Sequence, residues 1–217
     1  MSDLNLEYLI RKPTDNLDGP PLLIMLHGYG SNEQDLFSFA QELPSELLIV
    51  SVRAPLSLGF GSYAWYSINF EADRDNFSNL EEANTALKSI DVFIEGLLDK
   101  YKPDPTRIFL MGFSQGTILS LAYALNHPGK IQHVIALSGY VNQKLIKMPL
   151  EASTYKDLDV FASHGTVDQV IPVEWARRTP EFLDKLMIEY EYKEYPVGHG
   201  VAPQNFFDLL SWIRKRL

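Results

Sequence analysis

The sequence contains no cysteine, and that absence excludes several kinds of chemistry together. Without a thiol, the chain can form no disulfide bond, no thiolate nucleophile, no zinc finger and no cysteine-ligated cluster. Histidines and carboxylates at the short spacings typical of metal sites, such as H-x-x-x-H, are missing as well. The sequence therefore predicts no metal site.

Long apolar runs and basic segments are also missing. No stretch approaches the ~18 uninterrupted apolar residues that a membrane helix needs. The N-terminal MSDLNLEYLIRKP lacks the basic start and apolar run of a secretory signal. With 19 basic and 28 acidic residues, the formal net charge is −9, and such a surface repels nucleic-acid phosphates. We therefore expect a cytoplasmic protein with no membrane insertion and no nucleic-acid partner.

What the sequence does contain is an alternation of short apolar runs with longer amphipathic stretches. The apolar runs lie at residues 22–26, 47–52, 108–111, 134–137 and 160–162. Runs of this kind, bounded by Gly, Pro and Ser, are typical of strands buried on both faces of a parallel sheet. The pattern predicts an α/β fold in which helices flank a mainly parallel central sheet. Because the 217 residues contain no internal repeat or linker, we expect a single domain over residues 1–217.

Four helices are predicted between and after these strands. The clearest places apolar residues at steps of three and four over Leu80–Tyr101, with Ser78 and Glu81 as a capping box in front. A second runs over about Gln115–Asn126, and a third opens at Pro172. The last carries an apolar stripe, formed by Phe206, Leu209, Leu210, Ile213 and Leu217. That stripe could bind a membrane, but its spacing favours packing on the sheet.

A candidate nucleophile stands at the junction of a predicted strand and a predicted helix. The motif GFSQG at positions 112–116 is a G-x-S-x-G match in the strand-then-helix context that this motif requires. There Ser114 occupies a tight turn, and the positions two before and two after it must be small, as Gly112 and Gly116 are. The turn also aims the backbone N–H of Gln115 at an oxyanion, in the positive field of the helix N-terminus. The alternative is an ordinary turn that glycine makes flexible and that has no catalytic role. The strand before it and the helix after it argue against that alternative.

A second oxyanion donor is expected where the first long apolar run ends. Residues 22–26 lead straight into HGYG at positions 27–30, and α/β-hydrolases place an oxyanion N–H on such a loop. Glycine lets the backbone approach the substrate carbonyl closely. We assign the donor to the backbone N–H of Tyr29. His27 is interpreted as a hydrogen-bonded scaffold residue, and His164 as a brace for the loop that carries the acid.

The fold order predicts an acid and then a histidine, each on a loop after a later strand. Asp168 follows the strand predicted at residues 160–162, and His199 follows a strand predicted at residues 191–195. The order Ser114, Asp168, His199 is that of α/β-hydrolases, whereas the chymotrypsin and subtilisin folds use different orders. The sequence therefore predicts a Ser-Asp-His triad.

Five motifs, LHGYGSN, AWYSI, GFSQG, HGTVDQVIP and GHG, together resemble the phospholipase/carboxylesterase family of bacterial carboxylesterases, which is similar to the acyl-protein thioesterases. The resemblance covers about residues 20–215 and implies a single-domain α/β-hydrolase that cleaves esters, thioesters and some lysophospholipids. Carried over position by position, it implies Ser114 as nucleophile, Asp168 as acid, His199 as base, and the N–H groups of Tyr29 and Gln115 as oxyanion donors. The sequence departs from the family at Thr117, where a second glycine is usual, and at Tyr29, where leucine is common.

The least regular segment, residues 54–79, is interpreted as a loop that lines the site and not as a separate lid domain, because its composition is poor helix material. Its apolar side chains either form the wall of the acyl site or only pack the loop onto the sheet. The wall candidates are Phe60, Tyr63, Trp65 and Ile68 from this segment, with Val170 and Ile171 from the acid loop.

These residues predict a cofactor-free serine hydrolase that forms an acyl-enzyme on short- to medium-chain carboxylic esters, and also on thioesters or lysophospholipids. Its partner is then a small ester or thioester, an acylated protein or a lysolipid. A small serine peptidase or amidase is one alternative, although the chain has no room for a domain that encloses peptides. A non-catalytic binding protein is the other, although all three triad positions are intact. The physiological substrate and the oligomeric state are left open by the sequence.

Overall fold

The structure is a computed structural model, and it describes residues 4–14, 18–69, 77–147 and 151–217. The strands are β1 (Tyr8–Arg11), β2 (Leu22–Leu26), β3 (Leu48–Val52), β4 (Leu56–Gly59), β5 (Ser62–Ala64), β6 (Ile108–Phe113), β7 (His133–Leu137), β8 (Asp159–Gly165) and β9 (Glu189–Tyr195). The helices are α1 (Gln34–Phe37), α2 (Leu80–Tyr101), α3 (Gln115–Asn126), α4 (Val173–Ala176), α5 (Arg178–Lys185) and α6 (Pro203–Arg214). Short 3-10 helices span Ser38–Gln41, Gln143–Leu145 and Ala152–Tyr155.

Seven of the described strands form one sheet in the order β1-β3-β2-β6-β7-β8-β9. All neighbours are parallel except β1, which pairs antiparallel with β3 at one edge. β2 and β3 are buried along their whole length, which is why continuous apolar runs predicted them. β1 was not predicted, because its four residues are only half-buried and form no such run. The mainly parallel α/β sheet is confirmed.

Helices cover both faces of this sheet. Buried side chains of α2 and α3 belong to one apolar cluster, and those of α1 and α6 belong to the cluster on the other face. The apolar stripe of α6 packs on the sheet, with Phe206, Leu209, Leu210 and Ile213 buried and Leu217 half-buried against them. None of the described helices is long and apolar enough to cross a membrane.

Two predicted helix starts are wrong in detail. The N-cap of α2 is Asn79 and not Ser78, because Asn79 Oδ1 accepts the N–H of Glu82 at 3.2 Å. The residue three positions after the cap is therefore Glu82 and not Glu81. Pro172 is the N-cap of α4 and so precedes the first turn instead of lying in it.

The segment at residues 54–79, expected as a loop, contains a hairpin formed by β4 and β5. Strands of four and three residues are too short to produce a clear alternation in sequence. The hairpin is tied to the loop after β2, since Tyr63 N–H donates to Ser31 O at 2.8 Å and Gly30 N–H donates to Tyr63 O at 2.9 Å. Residues 70–76 of this segment lie outside the described residues.

Candidate active site

Ser114 stands at the turn between β6 and α3 with φ 53° and ψ −114°. A positive φ at a residue other than glycine costs about 1–3 kcal/mol, which the surroundings must offset. The N–H of Ser114 donates to Leu137 O at 2.8 Å and ties the turn to β7. A Cβ atom on Gly112 would collide with the backbone of Gly116, and one on Gly116 would collide with the carbonyl of Leu26. The chain thus has the strained strand-to-helix turn that G-x-S-x-G predicts.

The loop after β2 lies directly beside this serine. A Cβ atom on Gly28 would lie 3.4 Å from Ser114 Cβ, which is ordinary van der Waals contact. Tyr29 follows and is half-buried. Gln115 begins α3, where the first N–H groups have no acceptor within the helix. The predicted backbone donors, Tyr29 and Gln115, therefore belong to the two chain segments that meet at Ser114.

The predicted acid and the predicted base lie together, on the loops after β8 and β9. Asp168 Oδ2 accepts a hydrogen bond from His199 Nδ1 at 2.7 Å. Asp168 Oδ1 accepts the N–H groups of Val170 at 2.8 Å and Ile171 at 3.0 Å. These backbone bonds fix the rotamer of the carboxylate, so the imidazole of His199 is held through Nδ1 with a defined orientation.

Asp168 is ionised in spite of its burial. Burial alone raises the pKa of this carboxyl, but hydrogen bonds from His164, from His199 and from the backbone of Ile171 outweigh that effect and hold its pKa well below the usual range. His164 Nε2 lies 2.8 Å from Ile171 O and 3.3 Å from Asp168 Oδ2. Because both oxygens are acceptors, Nε2 carries the proton. His164 thus occupies the bracing position predicted for it.

His27 is fully buried and both of its ring nitrogens are engaged. Nδ1 donates to Gly28 O at 2.8 Å, and Nε2 accepts the N–H of Ala54 at 3.0 Å. Burial lowers the pKa of His27, which favours the neutral ring that these two bonds require. Its carbonyl also accepts the indole N–H of Trp65 at 3.0 Å. His27 is therefore a scaffold residue, as predicted.

His199 faces the same region as the serine turn. Its ring lies 5.0 Å, centroid to centroid, from the ring of Phe113, which directly precedes Ser114. Since Asp168 engages Nδ1, the Nε2 edge is the one left for proton transfer. Within the part of the chain that the structure describes, no three His, Asp or Glu side chains come together in a way that could hold a metal ion. A serine hydroxyl, an oriented imidazole and backbone N–H groups are the components of acyl transfer.

The sequence matches the family model described as Phospholipase/Carboxylesterase over residues 14–217. The chain belongs to the phospholipase/carboxylesterase family. It is 32% identical to acyl-protein thioesterase 1 of Cryptococcus neoformans var. neoformans serotype D over 221 residues, which cover 90% of this chain and 92% of the relative. Acyl-protein thioesterase 1 of Saccharomyces cerevisiae is 32% identical over 164 residues, covering 71% and 69%.

Solved structures of similar fold agree with this membership. The crystal structure of esterase PE8 is 25% identical, with a TM-score of 0.83, over 98% of this chain and 99% of its own. The Bacillus cereus carboxylesterase, at 20% identity, shares the fold with a TM-score of 0.82 over 98% and 95%. The fold is that of the α/β-hydrolases, and this family member is a serine hydrolase of the esterase type.

One departure from the usual phospholipase/carboxylesterase sequence supports the serine turn. Thr117 is fully buried, and its Oγ1 lies 2.7 Å from Gly112 O and 2.6 Å from Leu137 O. Gly139 leaves room for it, because a Cβ atom there would lie 2.5 Å from Thr117 Cβ. Thr117 therefore ties α3 to β6 and β7 behind the turn.

The side chain of Gln115 has a structural role that the sequence did not reveal. It is 1% exposed; its Oε1 accepts the N–H of Trp65 at 2.8 Å, and its Nε2 donates to Tyr66 O at 2.7 Å. These partners lie about 50 residues earlier in the chain, so no local pattern could indicate them. Gln115 joins the start of α3 to the segment that follows the hairpin.

The six predicted wall residues lie in three environments: Trp65 and Ile171 are buried, Tyr63 and Ile68 are half-buried, and Phe60 and Val170 are exposed. Trp65 borders a cavity of about 350 Å³ between the hairpin and α2. Ile68 borders a separate cavity of about 320 Å³. Phe60 lies at the hairpin tip with φ 52° and a fully exposed ring. The six side chains therefore differ widely in exposure, and their role as a wall of the acyl site stays a prediction.

A further cavity of about 300 Å³ lies directly beside His199. Its lining residues are Asp35, Leu36, Phe39, Phe113, His199, Gly200 and Val201. Apart from His199, none of these residues was predicted to line the site. They come from three segments that meet only in the folded chain. Two signals were present in the sequence: Phe113 is the first variable position of G-x-S-x-G, directly before Ser114, and Val201 follows the GHG motif.

Proposed function

We propose that this protein hydrolyses carboxylic esters and thioesters of short to medium acyl chain length, with Ser114 as nucleophile, His199 as general base and Asp168 as the orienting acid. The observation that carries the proposal is the 2.7 Å hydrogen bond from His199 Nδ1 to Asp168 Oδ2, at the sheet edge where Ser114 occupies its strained turn. We further propose that residues 1–217 act as one hydrolase domain, since one sheet joins strands from β1 to β9.

In the first half of the reaction, His199 Nε2 accepts the hydroxyl proton of Ser114 as the serine oxygen bonds to the acyl carbon. Asp168 stabilises the imidazolium that results and keeps its own negative charge. The carbonyl oxygen becomes an oxyanion, and we assign its stabilisation to the backbone N–H groups of Tyr29 and Gln115. Each such donor lowers the barrier by about 3 kcal/mol in comparable sites. The tetrahedral intermediate then collapses, and His199 gives its proton to the departing alcohol or thiol.

In the second half, water replaces the leaving group and attacks the acyl-Ser114 ester. His199 removes a proton from the water, the same backbone donors hold the second oxyanion, and the proton returns to the Ser114 oxygen as the carboxylic acid leaves. Every group in both halves is a side chain or backbone N–H of the chain, so the cycle runs without a cofactor.

The names of the relatives support the substrate class. Two are acyl-protein thioesterases, which supports thioesters and acylated proteins, and the family name includes phospholipase, which supports lysolipids. A thiolate is a better leaving group than an alkoxide, and the same serine, imidazole and oxyanion donors act on both kinds of ester.

The test is a hydrolysis screen over acyl chain length and leaving group, with purified protein and two serine variants. Ser114→Ala removes the proposed nucleophile and is expected to lower kcat by several orders of magnitude while the fold remains. Ser120→Ala is the matched control, because Ser120 is also buried, lies on α3, and has an Oγ with no hydrogen-bond partner among the described residues. A serine-directed fluorophosphonate is expected to label wild type and Ser120→Ala but not Ser114→Ala. Retained activity in Ser114→Ala would show that another nucleophile acts.

The same screen separates esterase from amidase activity. Each ester is paired with the amide of the same acyl group, and the proposal expects hydrolysis of the ester to dominate. An amide cleaved as fast as its matched ester would favour a peptidase or amidase.

A further inference from the structure

The cavity beside His199 has apolar walls that are held by packing. Leu36 is 3% exposed, and Phe39, Phe113 and Val201 pack half-buried against the same apolar cluster. The ring of Phe39 lies 4.9 Å, centroid to centroid, from that of Phe206 on α6, which fixes one wall. About 300 Å³ is enough for a branched alcohol or thiol group with several carbon atoms.

The cavity borders His199, the residue that protonates the leaving group in the proposed reaction. Asp168 engages His199 through Nδ1 at 2.7 Å, so Nε2 is the atom that protonates the leaving oxygen or sulfur. The leaving group must therefore lie within hydrogen-bond reach of His199. His199 and Gly200 both border the cavity, so a group bonded to the leaving atom can extend directly into it.

A single carboxylate gives the cavity its charge. Asp35 lies on its lining and is exposed to solvent, and its Oδ2 accepts the hydroxyl of Ser31 at 2.8 Å. Within the described ranges of the chain, no lysine or arginine pairs with Asp35. Glu33, two residues earlier, is neutralised instead, because Arg53 binds both of its carboxylate oxygens at 2.7 Å. The cavity thus combines apolar walls with one uncompensated negative charge.

We propose that the cavity lined by Leu36, Phe39, Phe113 and Val201 is the leaving-group subsite, and that Asp35 makes it favour alcohols and thiols with a cationic head over neutral ones of the same shape. This inference rests on the proposed function, since it assigns His199 the role of protonating the leaving group. The cationic head lies near Asp35, and its alkyl substituents pack on the aromatic walls, whose π faces also attract cations.

The test compares two butyrate esters that differ in one atom of the alcohol. Butyrylcholine carries a trimethylammonium head, and 3,3-dimethylbutyl butyrate carries a tert-butyl group of the same shape without charge. The ratio of their kcat/KM values is measured in wild type, in Asp35→Asn and in Asp157→Asn. Asn at position 35 keeps an acceptor for Ser31. Asp157 is an exposed carboxylate that directly precedes β8, at the end of the strand away from Asp168, so the Asp157→Asn variant controls for the change in overall charge. Each variant's ratio of kcat/KM values is compared with that of wild type. The different leaving abilities of the two alcohols cancel in this comparison.

Asp35→Asn is expected to lower the choline-to-neutral ratio about threefold, the effect of one partly exposed charge, and to reduce its dependence on salt. Asp157→Asn is expected to leave the ratio unchanged. Equal effects of the two variants, or a ratio in Asp35→Asn equal to that of wild type, would overturn the assignment of Asp35.

The cavity itself is tested by Val201→Phe, which fills it. This variant is expected to lower kcat/KM at least tenfold more for 3,3-dimethylbutyl butyrate than for ethyl butyrate, with little change in preference along a series of ethyl esters of increasing acyl length. A change in acyl preference instead would assign the cavity to the acyl group. Hydrolysis that depends on Ser114 but shows none of these effects removes only this inference, whereas hydrolysis independent of Ser114 removes the proposed function.

Discussion

His164 Nε2 lies 3.3 Å from Asp168 Oδ2, the same carboxylate oxygen that accepts His199 Nδ1. The side chains of His164 and Asp168 are both completely inaccessible to solvent, whereas His199 is 18% exposed. Two imidazoles therefore share one carboxylate oxygen, one of them completely buried and the other partly exposed. His164 Nε2 also donates to Ile171 O, so His164 joins Asp168 to the loop that carries this acid.

Loss of this support is expected to weaken catalysis without removing it. His164→Leu takes away the N–H that Ile171 O and Asp168 Oδ2 share, which should lower kcat about ten- to a hundredfold, as for other groups that orient a functional residue. It should also lower the unfolding free energy by about 1–3 kcal/mol, because a buried acceptor loses its partner.

His164→Gln is the matched variant, because its amide N–H can approach the position of Nε2. It is expected to recover part of the activity at unchanged KM. Equal losses in the Leu and Gln variants would show that only packing is important at this position. The measurements are kcat, KM and denaturant unfolding of the three proteins.

The side chain of Gln115 is expected to contribute to stability more than to catalysis. Gln115→Ala leaves its backbone N–H in place, so kcat on a small ester should remain within about tenfold of wild type. The N–H of Trp65 and the carbonyl of Tyr66 lose their partner, which should cost about 2–4 kcal/mol in denaturant unfolding.

Gln132→Ala is the comparison for that variant. Gln132 is similarly buried but makes one bond, from Nε2 to Gly129 O at 2.8 Å, and its Oε1 is unpaired among the described residues. Gln132→Ala should lower the unfolding free energy less than Gln115→Ala does, and it should leave kcat unchanged. A large fall in kcat for Gln115→Ala with little loss of stability would mean that its side chain acts on substrate.

The acid side of the pH profile is expected to report one titration. Hydrogen bonds hold the pKa of Asp168 well below its usual range, so this carboxylate stays ionised on the acid side of the profile and adds no protonation step of its own. We expect log kcat/KM to fall with decreasing pH at a limiting slope of one. A slope near two, measured on a substrate that is itself uncharged, would contradict the ionised state assigned to Asp168.

The same depressed pKa predicts how stability changes with pH. Because the folded-state pKa of Asp168 lies below its unfolded value near 3.8, its contribution to stability is present above that pH and is lost as pH falls below it. Wild type should therefore lose more unfolding free energy between about pH 5 and pH 3 than Asp168→Asn, which has no charge to lose at this position. Parallel curves for the two proteins would show that the carboxylate is not stabilised in the folded state.

The hairpin segment is not expected to act as a mobile lid. Residues 54–69 form β4, β5 and their connections, and hydrogen bonds between Tyr63 and the loop after β2 fasten them. The initial rate on a sparingly soluble ester should therefore saturate smoothly below its solubility limit. A sharp increase on crossing that limit is the result expected of a lid that opens on a lipid surface.

Local sequence determined the buried strands, the helix α3 and the serine turn of this protein. β2, β3 and β6 were predicted because strands buried on both faces need continuous apolar residues, and α3 was predicted with its observed ends, Gln115–Asn126. The serine turn was also predictable, since Gly112 and Gly116 are required by contacts within the motif itself and with the end of β2. The order of Ser114, Asp168 and His199 followed from the order of strands in an α/β-hydrolase.

Only the tertiary structure decided which distant groups meet. Three features depend on how the crossover connections pack and on the rotamer of each side chain: the hydrogen bond from Trp65 N–H to Gln115, the contact of His164 with Asp168, and the cavity that joins Asp35 and Phe39 to His199. Polar contacts of this kind leave no periodic signal, because one hydrogen bond needs only two atoms at the right distance and imposes no pattern on the residues between them. The hydrophobic pattern thus places the buried strands along the chain, and the packing of the loops that follow them decides which side chains meet.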